Sequence, residues 1–180
     1  MWTPWKGSNY ERRRLLVLGE SAYEREDPLT VDHSRRLVEW ELDNPLHVFR
    51  FTTTISRGLC AKQYPSREEV FAAWHTVALT NYVPEPIGSG PRQRPSAADW
   101  RTARERWPEI LKLLTPRAVV VLGRTLWSRM PPTDIFISDD LQGYNFQGQS
   151  VMCIAVRHPS GGLGWRTLAD AIAEVEKAAS

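Results

Sequence analysis

Four short apolar runs, each emptying into a turn of polar or small residues, constrain this chain more than anything else in it. They are LLVLGESAYEREDP (Leu15 to Pro28), ALTNYVPEP (Ala78 to Pro86), AVVVLGRT (Ala118 to Thr125) and VMCIAVRHPSGG (Val151 to Gly162). The run Leu15-Leu16-Val17-Leu18 is too short and too unbroken for an amphipathic helix, so it reads as a buried strand. Helix-length stretches separate the runs. Strands alternating with helices predict an α/β fold, a three-layer α/β/α sandwich with a mostly parallel central sheet, over residues 1–180 as one domain. In such sheets ligands sit outside the carboxyl ends of the parallel strands. Glu20, Ser21, Asn81 and His158 therefore converge on one pocket if the runs lie side by side.

The intervening pattern is specific enough to place elements. Thr30 can cap a helix running to about Leu42, and Asn44-Pro45 ends it. A second helix is expected over Val48 to Leu59. Ser66 to Glu69 and Ser96 to Asp99 have the form of capping boxes. The second opens a long helix to about Leu114, kinked or divided at Pro108. A strand is expected over Thr76 to Val83, and Gly123 turns into a short helix. Pro84 to Pro95 reads as loop, and Pro131 to Gly148 as an irregular excursion with room for a brief strand. Leu163 to Ala179 closes as an amphipathic helix with Leu168, Ile172 and Val175 on one face.

Composition excludes several classes. The 180 residues suffice for a proper core, and 42% hydrophobic with 24% charged residues is ordinary for a globular domain. No apolar stretch is long enough to span a bilayer, and the opening residues lack the apolar core of a secretory signal, so no membrane partner is expected. Cys60 and Cys153 are too few for a disulfide framework or an iron–sulfur cluster, which fits a reducing, cytoplasmic setting. His33, His47 and His75 show no metal-ligand spacing relative to one another or to the cysteines, so no metal site is expected. A net charge of +2 means that nucleic-acid contact must come from local patches. Two are visible: Arg12-Arg13-Arg14 before the first strand, and Arg92, Arg94, Arg101, Arg104 and Arg106 on a loop and its following helix.

Three turn residues carry chemical potential. Glu20 either orients water or a ligand, or is a turn acid facing solvent or backbone N–H groups. Asn81 presents one acceptor and two donors, enough to read an amide or nucleobase edge, or else it simply forms a turn ahead of Pro84. His158, followed by Pro159-Ser160-Gly161-Gly162, can donate to a developing anion, or can satisfy only a turn carbonyl. Ser21 lacks the G-x-S-x-G frame of a nucleophile elbow, and no phosphate-loop motif occurs.

In order, G-E-S-A-Y after the first strand, T-N-Y-V-P after the second, a V-V-V-L-G strand and a late H-P-S resemble the uracil-DNA glycosylase superfamily, over about Leu15 to Trp165. The thermostable, iron–sulfur branch is the most similar, although this chain lacks four cluster cysteines, so no cluster is carried over. The resemblance implies a monofunctional DNA glycosylase, acting as a monomer and without a cofactor, that extrudes uracil or a related deaminated base from DNA and hydrolyses its N-glycosidic bond. It implies His158 as stabiliser of the departing base anion, Asn81 as reader of the imide edge and Glu20 in the water or turn position. It further implies Phe51 as the ring stacked on the base, with Phe49 second, and Tyr23 and Ser21 as pocket walls. Leu163 becomes a duplex wedge, and Ser160, Arg92, Arg94 and Arg101 become DNA contacts. Ser21 stands where the best-known branch keeps an Asp that positions or activates water, and Ala22 replaces a following Pro. That substitution keeps a second reading open: a non-catalytic member of the fold that binds a nucleobase, nucleotide or DNA. Another α/β nucleotide-binding protein is the generic alternative.

Overall fold

The computed structural model describes residues 3–22, 31–46, 49–88 and 93–180. Its elements run β1 (Trp5–Lys6), α1 (Tyr10–Arg13), β2 (Leu15–Gly19), α2 (His33–Asp43), α3 (Arg50–Leu59), α4 (Arg67–Trp74) and β3 (Val77–Asn81). There follow α5 (Ala97–Leu114), β4 (Ala118–Leu122), α6 (Arg124–Arg129), β5 (Ile135–Phe136), β6 (Leu141–Phe146) and β7 (Gln149–Val156). A 3-10 turn (Pro159–Gly161) and α7 (Trp165–Ala178) complete the chain. The strands form one sheet in the order β1-β3-β2-β4-β7-β6-β5. The four central strands are parallel; helices connect β2 to β3 and β3 to β4, α6 with β5 and β6 connects β4 to β7, and β1, β6 and β5 add antiparallel edges. The fold is thus α/β, on a mixed sheet that is parallel at its centre.

The unbroken apolar runs are explained by burial on both faces. Leu15, Val17, Val120 and Ile154 point into one core, closed by Val38, Ile55, Trp74, Leu168 and Ile172 of α2, α3, α4 and α7. Their sequence neighbours Leu16, Leu18, Val119, Val121 and Cys153 point into the other, closed by Trp100, Trp107, Leu111 and Leu126 of α5 and α6. Each such fully buried side chain contributes roughly 1.5–3 kcal/mol. None of the residues of β4 is more than 1% exposed, which identifies it as the spine of the sheet.

Two packing details hold α3, the helix that carries Phe51. A Cβ on Gly58 would stand 2.6 Å from Leu168, so glycine lets α3 approach α7 closely. Across the same helix, the Trp74 indole N–H donates to Ser56 (2.9 Å), and the Ser56 hydroxyl donates to the fully buried Glu41 (2.7 Å). The backbone N–H of Leu46 also donates to that Glu41 oxygen (3.2 Å). These bonds tie α2, α3 and α4 into one block.

Both capping boxes form. The Ser66 hydroxyl accepts from the Glu69 N–H, and the Glu69 carboxylate accepts from the Ser66 N–H; Ser96 and Asp99 repeat the pattern. Pro108 neither ends nor divides α5, which is continuous from Ala97 to Leu114. The Pro131 to Gly148 excursion departs furthest from expectation: it contains β5 and β6 and extends the sheet. A two-residue turn with positive φ at Gln147 (+50°) and Gly148 (+77°) joins β6 to β7, a geometry suited to a tight hairpin. The last helix starts at Trp165, so Leu163 precedes it as a separate buried plug. No helix among the described residues is long and apolar enough to cross a membrane.

Candidate functional site

Strand register brings the expected turn residues to one edge. In the parallel ladders Gly19 pairs with Asn81, Leu18 with Val121, and Leu122 with Val156. Glu20, Asn81, Gly123 and His158 therefore all leave the carboxyl end of the sheet. The pairing of the first two continues past the strands: Tyr82 N–H donates to the Gly19 carbonyl and Val83 N–H to the Glu20 carbonyl, both at 2.9 Å. Ile87 N–H reaches the Ala22 carbonyl, also at 2.9 Å, so the turns after β2 and β3 act as one unit. Gly19 leaves space for the Asn81 amide, since a Cβ there would lie 2.4 Å from Asn81 Oδ1.

His158 is positioned locally. Its extended backbone caps the 3-10 turn, and its Nδ1 accepts from the Ser160 backbone N–H (3.2 Å), with Ser160 Oγ at 2.7 Å. A backbone N–H can only donate, so the neutral imidazole carries its proton on Nε2. The Phe51 ring lies 5.6 Å from the imidazole, tilted by 31°. Burial pushes the His158 pKa below its ordinary value, and the Arg94 guanidinium adds to the depression. At neutral pH the ring is therefore an uncharged donor at Nε2.

Glu20 is less free than its place in the turn suggests. Its side chain is 12% exposed, and Arg94 Nη1, on a side chain 67% exposed, donates to both carboxylate oxygens at 3.0 and 3.3 Å. The two partners are 74 positions apart, so the pair links the loop before α5 to the turn after β2.

The other expected residues divide. Phe49 packs on Trp40 at 4.8 Å, which leaves Phe51 as the ring beside His158. Ser21 is part-buried in the Glu20 turn, and Ser160 is exposed but engaged with His158. Arg101 is exposed near the start of α5, which begins at this edge of the sheet. Tyr23 and Arg92 lie outside the described residues. Leu163 is not placed as a wedge: it is 4% exposed and belongs to the core, because the chain must bury an apolar side chain where it turns into α7. The Arg12-Arg13-Arg14 patch lies at the opposite end of β2. There Arg13 pairs with Glu176, and Arg14 donates to the Thr115 carbonyl and Gln149. Of the second patch, Arg104 donates to the Arg129 carbonyl and Arg106 pairs with Glu109.

Two arginines at the site edge were not anticipated. Arg50 precedes Phe51, Arg157 precedes His158, and both are exposed. Among the described residues neither has a carboxylate partner, whereas Arg124 nearby is held by Asp140. Their adjacency to the two ring residues was the available signal. Among the described residues no three His, Cys, Asp or Glu side chains gather as metal ligands. No protein-family model matches the chain, and no curated protein matches it.

Chemically, the edge offers a fixed N–H donor, an aromatic face, an amide with both donor and acceptor, and a carboxylate–guanidinium pair. Asn81 and His158 stand on strands three ladder spacings apart, about 14 Å at the backbone.

Proposed function

We propose that the protein is a DNA base-excision glycosylase that hydrolyses the N-glycosidic bond of uracil or a related deaminated base, on a three-layer fold of the uracil-DNA glycosylase kind. The observation that carries this reading is the His158 imidazole, its Nδ1 engaged by Ser160 and its face covered by Phe51, on the same sheet edge as Asn81. An extruded base enters between Asn81 and His158. Asn81 pairs with the imide edge, and Phe51 lies against the ring. As the bond from C1′ to the base nitrogen breaks, its electron pair moves onto the base. His158 Nε2–H then donates to the oxygen where negative charge accumulates. Water adds to the oxocarbenium carbon and loses a proton to solvent. Glu20, held by Arg94, orients that water. Arg50 and Arg157, exposed and without a carboxylate partner among the described residues, supply phosphate contacts that steer the strand.

The pure protein is to be incubated with single-stranded and duplex oligonucleotides carrying uracil, hypoxanthine or xanthine, and abasic sites then nicked with alkali. Strand cleavage with at least one base is expected. One specific feature favours the second reading, a base- or DNA-binding protein without catalysis: Ser21 is no carboxylate, and the Glu20 carboxylate is already engaged. Binding of these oligonucleotides without cleavage of any of them decides for that reading.

A further inference from the structure

We propose that Glu41 is a positioning residue for Phe51, the ring that faces His158, and that it acts through the two stretches of chain on either side of that ring. The inference deepens the glycosylase reading and rests on it for the role of Phe51 as the surface on which the base stacks.

Phe51 stands in the first turn of α3, half-buried, with its ring 5.6 Å from the His158 imidazole. A phenyl ring has no hydrogen-bonding group to anchor it, so its place depends on how α3 and the chain entering it are seated. Both are seated on one atom. Glu41 Oε1 accepts from the Leu46 N–H at 3.2 Å, five residues before Phe51, and from the Ser56 hydroxyl at 2.7 Å, five residues after it. The Ser56 oxygen in turn accepts from the Trp74 indole at 2.9 Å, so α4 backs the bond. Beside Glu41 on α2, Trp40 packs on Phe49 with ring centroids 4.8 Å apart. Two consecutive residues of α2 therefore hold the chain at 46, 49 and 56, on both sides of Phe51.

Folding alone gives little reason for a carboxyl group here. Glu41 is fully buried, no cation pairs with it among the described residues, and its other oxygen, Oε2, has no hydrogen-bond partner there. Burying such a group costs more than burying an apolar side chain of similar size. What it supplies is direction: one oxygen accepting from two donors fixes where Leu46 and Ser56 lie relative to each other. A leucine at 41 would fill the space and leave both donors free to shift. The contact of α3 with α7 does not do the same work. Gly58 lets the helix approach Leu168 closely but, having no side chain, does not lock it against rotation. The Ser56–Glu41 bond does, and rotation of α3 is what carries Phe51 toward or away from His158.

The test compares wild type with Phe51→Leu, Glu41→Leu, Glu41→Gln, Ser56→Ala and the double variant Glu41→Leu/Phe51→Leu. Two quantities are read: the NMR resonances of the His158 ring protons, which the Phe51 ring current displaces, and the rate of cleavage of a uracil-containing single-stranded oligonucleotide. Phe51→Leu should move the resonances and slow cleavage by about 5-fold or more, the loss of one base–ring stack. Glu41→Leu should move the same resonances toward their Phe51→Leu positions and slow cleavage as well. In the double variant, Glu41→Leu should add nothing to Phe51→Leu in either quantity. Glu41→Gln, which keeps an acceptor oxygen, should stay near wild type in both. Ser56→Ala breaks only the bond to α3 and should move the resonances part of the way; it carries the test if Glu41→Leu does not fold. Unmoved resonances in folded Glu41→Leu, or in Ser56→Ala where that variant stands in for it, overturn the proposal. Additive effects in the double variant overturn it too, because Glu41 would then act by a route other than Phe51. If the protein binds no DNA and cleaves none, the glycosylase reading fails, and the His158 resonances alone decide whether Glu41 positions Phe51.

Discussion

The two halves of the candidate site are built by different means. On the β7 side, His158 is held by its own neighbourhood: Ser160 two residues on, a short turn, and the Phe51 ring across from it. On the β2–β3 side, nothing local holds Glu20 or Asn81. Their positions depend on strand register, on the missing side chain of Gly19, and on a cation from a distant loop. A locally built half keeps its geometry when remote loops move. A half assembled over long range adjusts with them and is easier to dismantle without unfolding the protein. On the glycosylase reading this division makes sense: the donor for the anion must be preorganised, while the base reader and water site have to admit a substrate.

The largest effect should come from the local half. His158→Ala removes the donor and is expected to reduce cleavage by about 10²-fold or more, as loss of an oxyanion donor does. An unchanged rate with uracil-containing DNA removes His158 from the mechanism. The long-range half should yield to a change that touches no reactive group. Gly19→Ala places a Cβ against Asn81 Oδ1, and that oxygen is the movable end of a side chain, so the amide rotates away and the fold survives. Loss of a two-point base contact costs about 1–3 kcal/mol, so kcat/KM should fall by about 5- to 160-fold. Thermal unfolding should shift little. A large loss of stability instead would show that Gly19 serves packing and not the site.

The same division explains what could be read from the sequence. The central strands were legible because Leu15 to Leu18 and Ala118 to Leu122 are apolar without interruption, which only burial on two faces produces. The capping boxes at Ser66 and Ser96 were legible because their hydrogen bonds span three residues. β6 was legible only as room for a brief strand because LQGYNF carries Gly and Asn, and it becomes a strand by pairing with β7 rather than by propensity. Leu163 was misplaced because the resemblance implied a wedge, and only the packing under α7 shows it to be core. Within the site, the His158–Ser160 contact is only two residues long, yet Ser160 was expected on DNA. The Glu20–Arg94 pair joins positions 74 apart, and Arg94 was instead expected on phosphate. Which of Phe49 and Phe51 faces His158 was likewise open until Trp40 was seen to take Phe49.

Two smaller effects probe the local half further. Ser160→Ala removes the hydroxyl 2.7 Å from Nδ1 and leaves the backbone N–H that also engages it. One lost hydrogen bond of about 0.5–1.5 kcal/mol corresponds to roughly a 2- to 13-fold drop in cleavage rate. A loss as large as that of His158→Ala would mean that the hydroxyl, not the backbone, sets the ring.

The smallest effect is thermodynamic and needs no substrate. The His158 pKa is depressed in the folded protein, by burial first and by Arg94 second. Between the folded and unfolded values the unfolded chain binds more protons, so stability rises with pH in that interval. The contribution is intact above the unfolded histidine value of about 6.5 and is lost as pH falls through the folded value. Urea unfolding midpoints at about pH 7.5 and 5.5 should therefore differ more in wild type than in His158→Gln, which cannot titrate. Arg94→Gln should fall between the two, since it removes the charge but leaves the burial. Equal pH dependence in wild type and His158→Gln would mean that the ring takes up its proton as easily folded as unfolded, and the uncharged donor at Nε2 would no longer be assured near neutrality.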